Sequence, residues 1–365
     1  MSNRIVCNSL IVTGTRPEII KMVPVYFALK KTGNHVFWCH TGQHDSLADQ
    51  TFEAFGVIPD YVFQRPQGEG ISPLVSGLLT NIDSLLKTHL FQCVLVHGDT
   101  SSTLSAALAA FYNKVPVIAH VEAGLRSGSL SHPFPEESNR LLVAQIADVH
   151  FAPTQGACDA LLKENISKDK IHVTGNTAID AQHLLVSSGK IVKRDSTKVL
   201  VTAHRRENWQ NISIISDAIK KLSALRPELE FVFVVHPNPD VRAKVEACLA
   251  NTAKVTISEP LDYLALQQCL AESILVLTDS GGIQEEAPSY GKRVVVLRET
   301  TERPEAVAQG YSVLAGASDV DRIVESALTM LNAEAFSGSN NPFGDGLASE
   351  HIAARINALC GPTDV

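Results

Sequence analysis

The chain has 365 residues, of which 45% are hydrophobic and 19% charged, and its formal net charge is −8. The length predicts two folded domains, and the acidic balance excludes broad binding to nucleic-acid backbones, because that requires a net basic surface. Seven scattered cysteines without a Cys-x-x-Cys pair indicate neither a disulfide framework nor a zinc site.

The apolar stretch near the N-terminus, residues 5–12, is interrupted by Asn8. It is too short to span a bilayer and lacks a small-residue cleavage pattern, so we interpret it as the first strand. We therefore expect a cytoplasmic protein with reduced cysteines and no membrane partner.

Short apolar runs alternate with amphipathic segments along the first half of the chain, which predicts βαβ units and a parallel sheet. The predicted strands are residues 10–13, 36–40, 93–97, 117–121 and 149–152, and the predicted helices include residues 73–88, 103–113 and 136–146.

A second series of predicted strands begins near Lys198, at residues 199–202, 231–235, 255–257, 274–278 and 294–297. The fold class is therefore α/β with two doubly wound, Rossmann-like domains. We place the boundary between Asn176 and Lys198, with an N-terminal domain of residues 1–180 and a C-terminal domain of residues 181–365. The last helix, about residues 347–365, is a candidate for packing back on the N-terminal domain.

Ligands of doubly wound sheets bind beyond the carboxyl ends of the strands, so the residues after each strand carry the functional argument. The first strand is followed by GTRPE, residues 14–18, with Lys21 one turn into the next helix. A glycine turn and a helix N-terminus favour an anion, and Arg16 and Lys21 add positive charge. The alternative is a plain strand-to-helix turn with surface charges.

Three carboxylates follow later strands of the same half. Asp99 lies in HGDTS, where the alternative role is a helix cap, and Glu122 lies in HVEAGLR directly after a buried strand. In PFPEESNR, Glu136 and Arg140 stand four residues apart on one helix face, where the alternative is a surface ion pair.

The second half places His204 and His236 after two different strands. A single histidine is usually structural, but two at strand ends facing one predicted cleft favour a functional role.

A second group in this half has the residue types of a nucleotide site. Ser280, Gly281 and Gly282 open a helix and would present backbone N–H groups to a phosphate, while Glu286, one turn on, can reach a vicinal diol. Arg303, in TERPE, adds a charged loop. Phosphate and diol together indicate a ribonucleotide diphosphate.

Equally informative are the motifs that the sequence lacks. It has no Gly-x-Gly-x-x-Gly after the first strand, no phosphate-binding Gly-x-x-x-x-Gly-Lys-Ser/Thr and no metal-ligand spacing. We therefore expect no nicotinamide, ATP or metal cofactor.

Taken in order, the motifs resemble those of the non-hydrolysing UDP-N-acetylglucosamine 2-epimerases, a family of the two-domain GT-B type. The likeness covers nearly the whole chain, through GTRPEIIK, HGDT, HVEAGLR, PFPEESNR, HRREN, DSGGIQEEAP and TERPE. It implies two domains facing across a cleft, a UDP-sugar substrate and a homodimer.

The resemblance also implies roles for individual residues. The UDP group would be held by Arg16, His204, His236, Ser280, Gly281, Gly282, Glu286 and Arg303, with Glu286 on the ribose. The sugar chemistry would involve Lys21, Asp99, Glu122, Glu136, Arg140 and His204.

The chemistry is consistent with these residue types. The C2 proton of a 2-acetamido sugar is not α to a carbonyl, so elimination of UDP to a 2-acetamidoglucal, followed by re-addition, is the expected route, with two acid/base groups. The alternatives are a hydrolysing epimerase that releases N-acetylmannosamine, a GT-B glycosyltransferase and a sugar-nucleotide sensor. The expected pathway is surface polysaccharide synthesis.

One departure from the resemblance concerns regulation. Many bacterial members of the family are activated by a second UDP-N-acetylglucosamine through a Gln-His-x-x-Met pattern and a later Arg-Gln pair. Here Gln43 and His44 are kept, but Asp45 follows them and the later spacing is broken. We expect weak or absent activation, with Gln43 and His44 serving the active site or the local fold.

Overall fold

The computed structural model describes residues 7–42, 46–194, 196–334 and 341–360. The chain divides into two compact units, with the divisions between Ala181 and Gln182 and between Phe343 and Gly344. The first unit combines the N-terminal part of the chain with its C-terminal end, and the second unit lies between them in sequence.

The first unit is built on a parallel sheet, whose strand order within the described residues is β3-β2-β1-β4-β5-β6-β7. Its strands are β1 (Asn8–Thr13), β2 (His35–His40), β3 (Tyr61–Val62), β4 (Cys93–His97), β5 (Val117–Val121), β6 (Val149–Ala152) and β7 (Ile171–Val173). Leu10 in β1 is paired with Phe37 on one side and Val94 on the other, and all three strands carry buried apolar residues, as a sheet covered on both faces requires.

Helices connect these strands. They are α1 (Arg16–Lys31), α2 (Ser46–Phe55), α3 (Ile71–Thr88), α4 (Ser101–Tyr112), α5 (Glu136–Ile146), α6 (Gln155–Lys163) and α7 (Thr177–Ser187), with a short 3₁₀ turn at Lys168–Lys170. Alanines on α4, among them Ala106 and Ala110, pack against Ile82 of α3 and Val94 of β4, so small residues let this helix lie close to the sheet. The division between the units falls inside α7.

The second unit repeats the plan with the strand order β10-β9-β8-β11-β12-β13 among its described residues, all parallel. The strands are β8 (Lys198–Thr202), β9 (Glu230–Val234), β10 (Val255–Ser258), β11 (Leu275–Thr278), β12 (Arg293–Val296) and β13 (Ser312–Leu314). The helices are α8 (Ile212–Leu225), α9 (Pro239–Leu249), α10 (Tyr263–Glu272), α11 (Gly281–Glu286), α12 (Pro304–Ala308) and α13 (Val320–Asn332), with 3₁₀ turns at Arg206–Asn208 and Ala287–Tyr290.

The last helix, α14 (Ala348–Cys360), belongs to the first unit. It buries Ile352 and Ile356, and Asn34, just after α1, donates its side-chain amide to the Asn357 side chain at 2.6 Å. The buried Asp180 accepts hydrogen bonds from the backbone N–H and the hydroxyl of Ser349, at the start of α14. The C-terminal end is thus fixed to both ends of the first unit's N-terminal segment.

Two parallel, doubly wound sheets confirm the fold class predicted from the sequence. In each sheet the strand order reverses once, between β1 and β4 in the first unit and between β8 and β11 in the second. Such a switch point opens a crevice at the carboxyl ends of the strands, where ligands of this fold class bind. Within the described residues, no helix combines the length and the hydropathy that crossing a bilayer would require.

Candidate active site

A buried glutamate joins the two loops at the switch point of the first unit. Glu18 Oε2 accepts hydrogen bonds from the backbone N–H groups of Gly14 (3.0 Å) and Thr15 (2.7 Å), and Oε1 accepts from the hydroxyl groups of Thr100 (2.8 Å) and Thr103 (3.1 Å). Burial raises the pKa of Glu18, and the hydrogen bonds oppose that rise. The loop after β1 is therefore fixed to the start of α4.

Gly14 is required where these loops meet. A Cβ atom at this position would lie 2.0 Å from the Ser102 hydroxyl and 2.6 Å from the Thr41 hydroxyl. Neither contact is sterically possible, so the close approach of α4 to the first loop depends on the missing side chain.

Lys21 and Glu122 form an ion pair at the same edge of the sheet. Lys21 Nζ donates to Glu122 Oε2, and the two side chains are 14% and 13% exposed. His97 Nε2 lies 3.7 Å from the same oxygen. The backbone of Glu122 has a φ of 61°, in the left-handed region that residues other than glycine rarely adopt. Backbone strain of this kind is typical of functional positions.

Asp99, which follows β4, is held by α5. Arg140 Nε lies 2.8 Å from Asp99 Oδ2 and Nη2 lies 2.5 Å from it, while Arg140 Nη1 donates to Glu137 Oε2 at 3.0 Å. The Asn139 side-chain amide donates to the Asp99 carbonyl at 2.8 Å. Glu137 also accepts the backbone N–H groups of residues 127 and 128, and its pKa is lowered by these bonds and by Arg140, against the opposing effect of burial.

Two alternative interpretations of the sequence are wrong at these positions. Asp99 does not cap α4, because the cap is Thr100, whose hydroxyl accepts the N–H one turn into the helix. Among the described residues, Arg140 pairs with Asp99 and Glu137 and not with Glu136.

Glu136 stands apart from these ion pairs. It begins α5, and within the described part of the chain its Oε2 atom is buried without a hydrogen-bond partner. A buried, unpartnered carboxylate oxygen loses solvation worth about 1–3 kcal/mol, so its presence favours a functional over a structural role.

A neutral histidine supports the loop that carries Asp99. His120 Nε2 donates to the Gly98 carbonyl at 2.7 Å, and burial, together with the neighbouring His150, lowers the pKa of His120 to about 3. The hydrogen bond therefore persists at neutral pH with the ring uncharged. Arg16, after β1, is half-buried and makes no ion pair with any residue in the described ranges. It is an available cation for a phosphate.

The second unit has its own buried carboxylate at the switch point. Asp279, which follows β11 and is fully buried, accepts the backbone N–H groups of His204 (3.0 Å) and Arg205 (2.9 Å) and the side-chain amide of Asn208 (2.9 Å). The loop after β8 is thereby fixed to the loop after β11.

His204 and His236 lie together, with ring centroids 5.6 Å apart. His204 Nε2 donates to the Val234 carbonyl at 3.1 Å, so Nδ1 is the ring atom left for a ligand. His236 Nδ1 accepts the Asn238 backbone N–H at 3.0 Å, which leaves its Nε2. Burial and the neighbouring His204 lower the pKa of His236. These two rings are brought together as the sequence predicts.

Ser280, Gly281 and Gly282 begin α11, and the Ser280 hydroxyl caps the helix. Arg303 packs over Gly281, where a Cβ would lie 3.4 Å from the guanidinium. The guanidinium is also paired with the buried Glu285, with Nε 2.5 Å from Oε1. Arg303 therefore lies beside the predicted phosphate turn, but part of its charge is already neutralised.

Glu286, predicted to bind the ribose, is half-buried at the end of α11. Its Oε2 accepts a hydrogen bond from the Gln267 side-chain amide at 2.7 Å. Gln43 and His44 lie outside the described residues, and the expectation of weak activation stays a prediction.

The structure adds residues that the sequence argument did not assign to the site. They are the two carboxylates at the switch points, the histidine beside Glu122, the partner of Arg140 and the partner of Glu286, namely Glu18, Asp279, His97, Glu137 and Gln267. Within the described ranges, no set of three or more His, Cys, Asp and Glu side chains is arranged as metal ligands.

Two doubly wound units, with charged groups collected at the switch point of each, make this a two-domain α/β protein of the class typical of nucleotide-sugar enzymes. The sequence profile of the UDP-N-acetylglucosamine 2-epimerases matches residues 28–357. The chain belongs to the UDP-N-acetylglucosamine 2-epimerase family, whose members are isomerases.

Individual relatives support the assignment of the chain to this family. The UDP-N-acetylglucosamine 2-epimerase of Salmonella typhimurium is 41% identical over 370 residues, which cover 96% of this chain and 98% of the relative. The crystal structure of the Neisseria meningitidis enzyme bound to UDP-N-acetylglucosamine matches with a TM-score of 0.84 at 39% identity, over 96% of this chain and 99% of that one. The Methanocaldococcus jannaschii enzyme matches with a TM-score of 0.84 at 33% identity, over 96% and 99%.

Proposed function

We propose that this protein interconverts UDP-N-acetylglucosamine and UDP-N-acetylmannosamine by inverting C2, with the sugar still linked to UDP at the end of the reaction. The observation that carries the proposal is the collection of Asp99, Glu122 and Glu136, with Lys21 and Arg140, on loops and helices at one edge of the first sheet. Family membership supplies the substrate class.

The reaction divides into two halves. A base removes the C2 proton as the bond between C1 and the UDP oxygen breaks, which leaves a C1=C2 double bond in a 2-acetamidoglucal and free UDP. The UDP oxygen then adds back to C1 while an acid delivers a proton to the opposite face of C2. No atom is gained or lost, and two acid/base groups on opposite faces are sufficient.

The first unit supplies the acid/base groups in this proposal. Glu136 is the most suitable proton-transfer group, because its buried Oε2 makes no other hydrogen bond within the described residues. Asp99 and Glu122 are each fixed by a cation, which holds their carboxylates in a defined orientation. Lys21 and Arg140 then orient these groups and stabilise charge near the sugar.

The second unit holds the UDP leaving group. The turn at Ser280 to Gly282, beside Arg303, and Nε2 of His236 provide hydrogen-bond donors for a diphosphate, and Nδ1 of His204 is the ring atom left beside them. The family resemblance adds Arg16 as a further phosphate-binding cation, and Arg16 makes no ion pair with any described residue. Stabilisation of the departing diphosphate is the larger electrostatic demand of the reaction.

The same proposal extends to cofactors, assembly and pathway. An elimination and re-addition needs neither hydride transfer nor a metal, so we infer that none takes part. We further infer a homodimer that acts in the cytoplasm and feeds surface polysaccharide synthesis. Sedimentation equilibrium of the purified protein checks the dimer directly, and a mass of one chain at all concentrations would refute it.

The test is turnover of UDP-N-acetylglucosamine in heavy water, followed by NMR and mass spectrometry. We expect both UDP-linked epimers, each with deuterium at C2, because the proton is exchanged on a side chain. Retention of the original C2 proton through many turnovers would overturn the elimination route. Accumulation of free N-acetylmannosamine would identify a hydrolysing enzyme instead.

A further inference from the structure

The carboxylate of Glu286 sits at the end of a buried chain of polar side chains in the second unit. Gln267 on α10 donates its amide to Glu286 Oε2 at 2.7 Å. Gln267 Oε1 accepts hydrogen bonds from the Gln182 amide at 2.8 Å and from the Tyr290 hydroxyl at 2.9 Å. Gln267 and Gln182 have no exposed surface, and Tyr290 is 6% exposed.

The direction of every hydrogen bond among these side chains follows from one group, the backbone carbonyl of Glu286. The Gln182 side chain lies 3.2 Å from the Glu286 backbone carbonyl, which only accepts, so the Gln182 atom there is the amide nitrogen. That same nitrogen donates to Gln267, so the Gln267 atom facing it is the oxygen. The remaining end of Gln267, its NH₂ group, must then face Glu286.

The Tyr290 hydroxyl completes the arrangement. Because Gln267 Oε1 carries no hydrogen, the phenol must donate to it. Burial and the nearby Glu286 charge raise the pKa of Tyr290, which keeps the phenol protonated and the donor in place. Two donors on one oxygen prevent the Gln267 amide from rotating by half a turn.

We propose that Gln267, oriented by Gln182 and Tyr290, is a positioning residue that fixes the Glu286 carboxylate for recognition of the ribose diol of the nucleotide. This inference rests on the ribose role of Glu286 in the proposed function. A carboxylate bound at one oxygen by a fixed donor has one preferred plane, and recognition of two adjacent hydroxyl groups depends on that plane. Gln267 itself makes no contact with substrate.

The readout is the ratio of affinities for UDP and for 2′,3′-dideoxy-UDP, measured by calorimetry. Hydrogen bonds to a charged group predict that the unsubstituted protein prefers UDP by about 10- to 100-fold. Gln267→Leu should reduce that ratio by about tenfold while the affinity for dideoxy-UDP stays unchanged. Tyr290→Phe, which keeps the ring, should reduce the ratio by about twofold to threefold.

A matched control lies next along α10. Gln268 bonds instead to Val192 and Glu272, so Gln268→Leu makes the same chemical change and should leave the ratio unaltered. In a Glu286→Gln background, Gln267→Leu should change the ratio no further, because the carboxylate that it positions is gone.

The possible outcomes distinguish the ribose role of Glu286 from the positioning role of Gln267. An unsubstituted protein without preference for UDP would refute the ribose role of Glu286 itself. If that preference exists but survives both Gln267→Leu and Tyr290→Phe, the positioning role is wrong and the ribose role stands. An equal loss of affinity for both nucleotides would assign Gln267 to structural packing. Should Gln267→Leu fail to fold, Tyr290→Phe decides alone.

Discussion

The two switch points of the molecule use the same structural element for different purposes. In each unit a buried carboxylate fixes the loop after the first strand to the loop after the strand beside it, Glu18 at 2% exposure and Asp279 at 0%. Around Glu18 stand ion-paired carboxylates and cations, whereas around Asp279 stand two histidines and a Ser-Gly-Gly turn. The shared element fixes the loops in each unit, and the two switch points differ in the side chains that surround it.

The largest expected effect tests whether proton transfer belongs to the first unit. Glu136→Gln and Asp99→Asn keep side-chain shape but remove basicity, so turnover should fall by about 10²- to 10⁴-fold, with UDP affinity nearly unchanged. Glu53→Gln, an exposed change on α2, is the matched control. Steady-state rates with calorimetry for UDP measure both quantities. Near-normal turnover in both active-site variants would contradict the assignment of proton transfer to the first unit.

The next effect concerns the carboxylates at the switch points. Asp279→Asn and Glu18→Gln each replace one acceptor oxygen with a donor that faces backbone N–H or hydroxyl groups, so each should lower the free energy of unfolding by about 1–3 kcal/mol. Urea unfolding, followed separately in each unit by hydrogen exchange, measures this loss. A loss confined to one variant would show that the two switch points are not equivalent in stability.

A smaller effect separates nucleotide binding from proton transfer. His204→Ala should weaken UDP binding by about tenfold, because the ring that the proposal places beside the diphosphate is lost from the second unit. The exposed His183→Ala on α7 controls for loss of an imidazole in the same unit. If UDP binds His204→Ala with unchanged affinity, the contact assigned to this ring is wrong.

The smallest effect is on pH dependence. Burial lowers the pKa of His150 to about 4 and that of His120 to about 3, so the unfolded state binds more protons below pH 6.5 and the first unit loses stability as the pH falls. Each histidine should lower the free energy of unfolding by under about 1 kcal/mol between pH 8 and 6. Just below pH 6 the loss should be about 1.4 kcal/mol per pH unit. His150→Leu should remove the contribution of His150 to this pH dependence. If the free energy of unfolding of the variant changes with pH as steeply as that of the unsubstituted protein, the prediction is wrong.

The sequence predicts most of this fold because the central strands are apolar runs of four to six residues between helical patterns. It does not predict β3, β7 or β13, which have two or three residues each, because short edge strands lack a periodic signal. The site residues that it does predict are charged or histidine side chains directly after buried strands, where an ionisable group is unusual.

The site residues that the sequence does not predict depend on contacts between residues distant in sequence. Gln267 lies within a helix, and its significance comes from contacts with residues 19 and 85 positions away. The alternative of an ion pair between Glu136 and Arg140 is wrong because helix spacing alone does not reveal Asp99, which is 41 residues from Arg140 in sequence but accepts a hydrogen bond from its Nε at 2.8 Å. Long-range contacts of this kind depend on the assembled sheet and not on local pattern.

The return of α14 to the first unit affects how the protein is made. As the chain leaves the ribosome, the second unit is complete once Phe343 has emerged, but the first still lacks the helix that bonds to Asn34 and Asp180. The unit that begins synthesis first is therefore the one that is finished last. A nonsense codon between Phe343 and Ala348 would leave the second unit intact and the first without its closing helix, so a late truncation should be removed by quality-control proteases as an early one is.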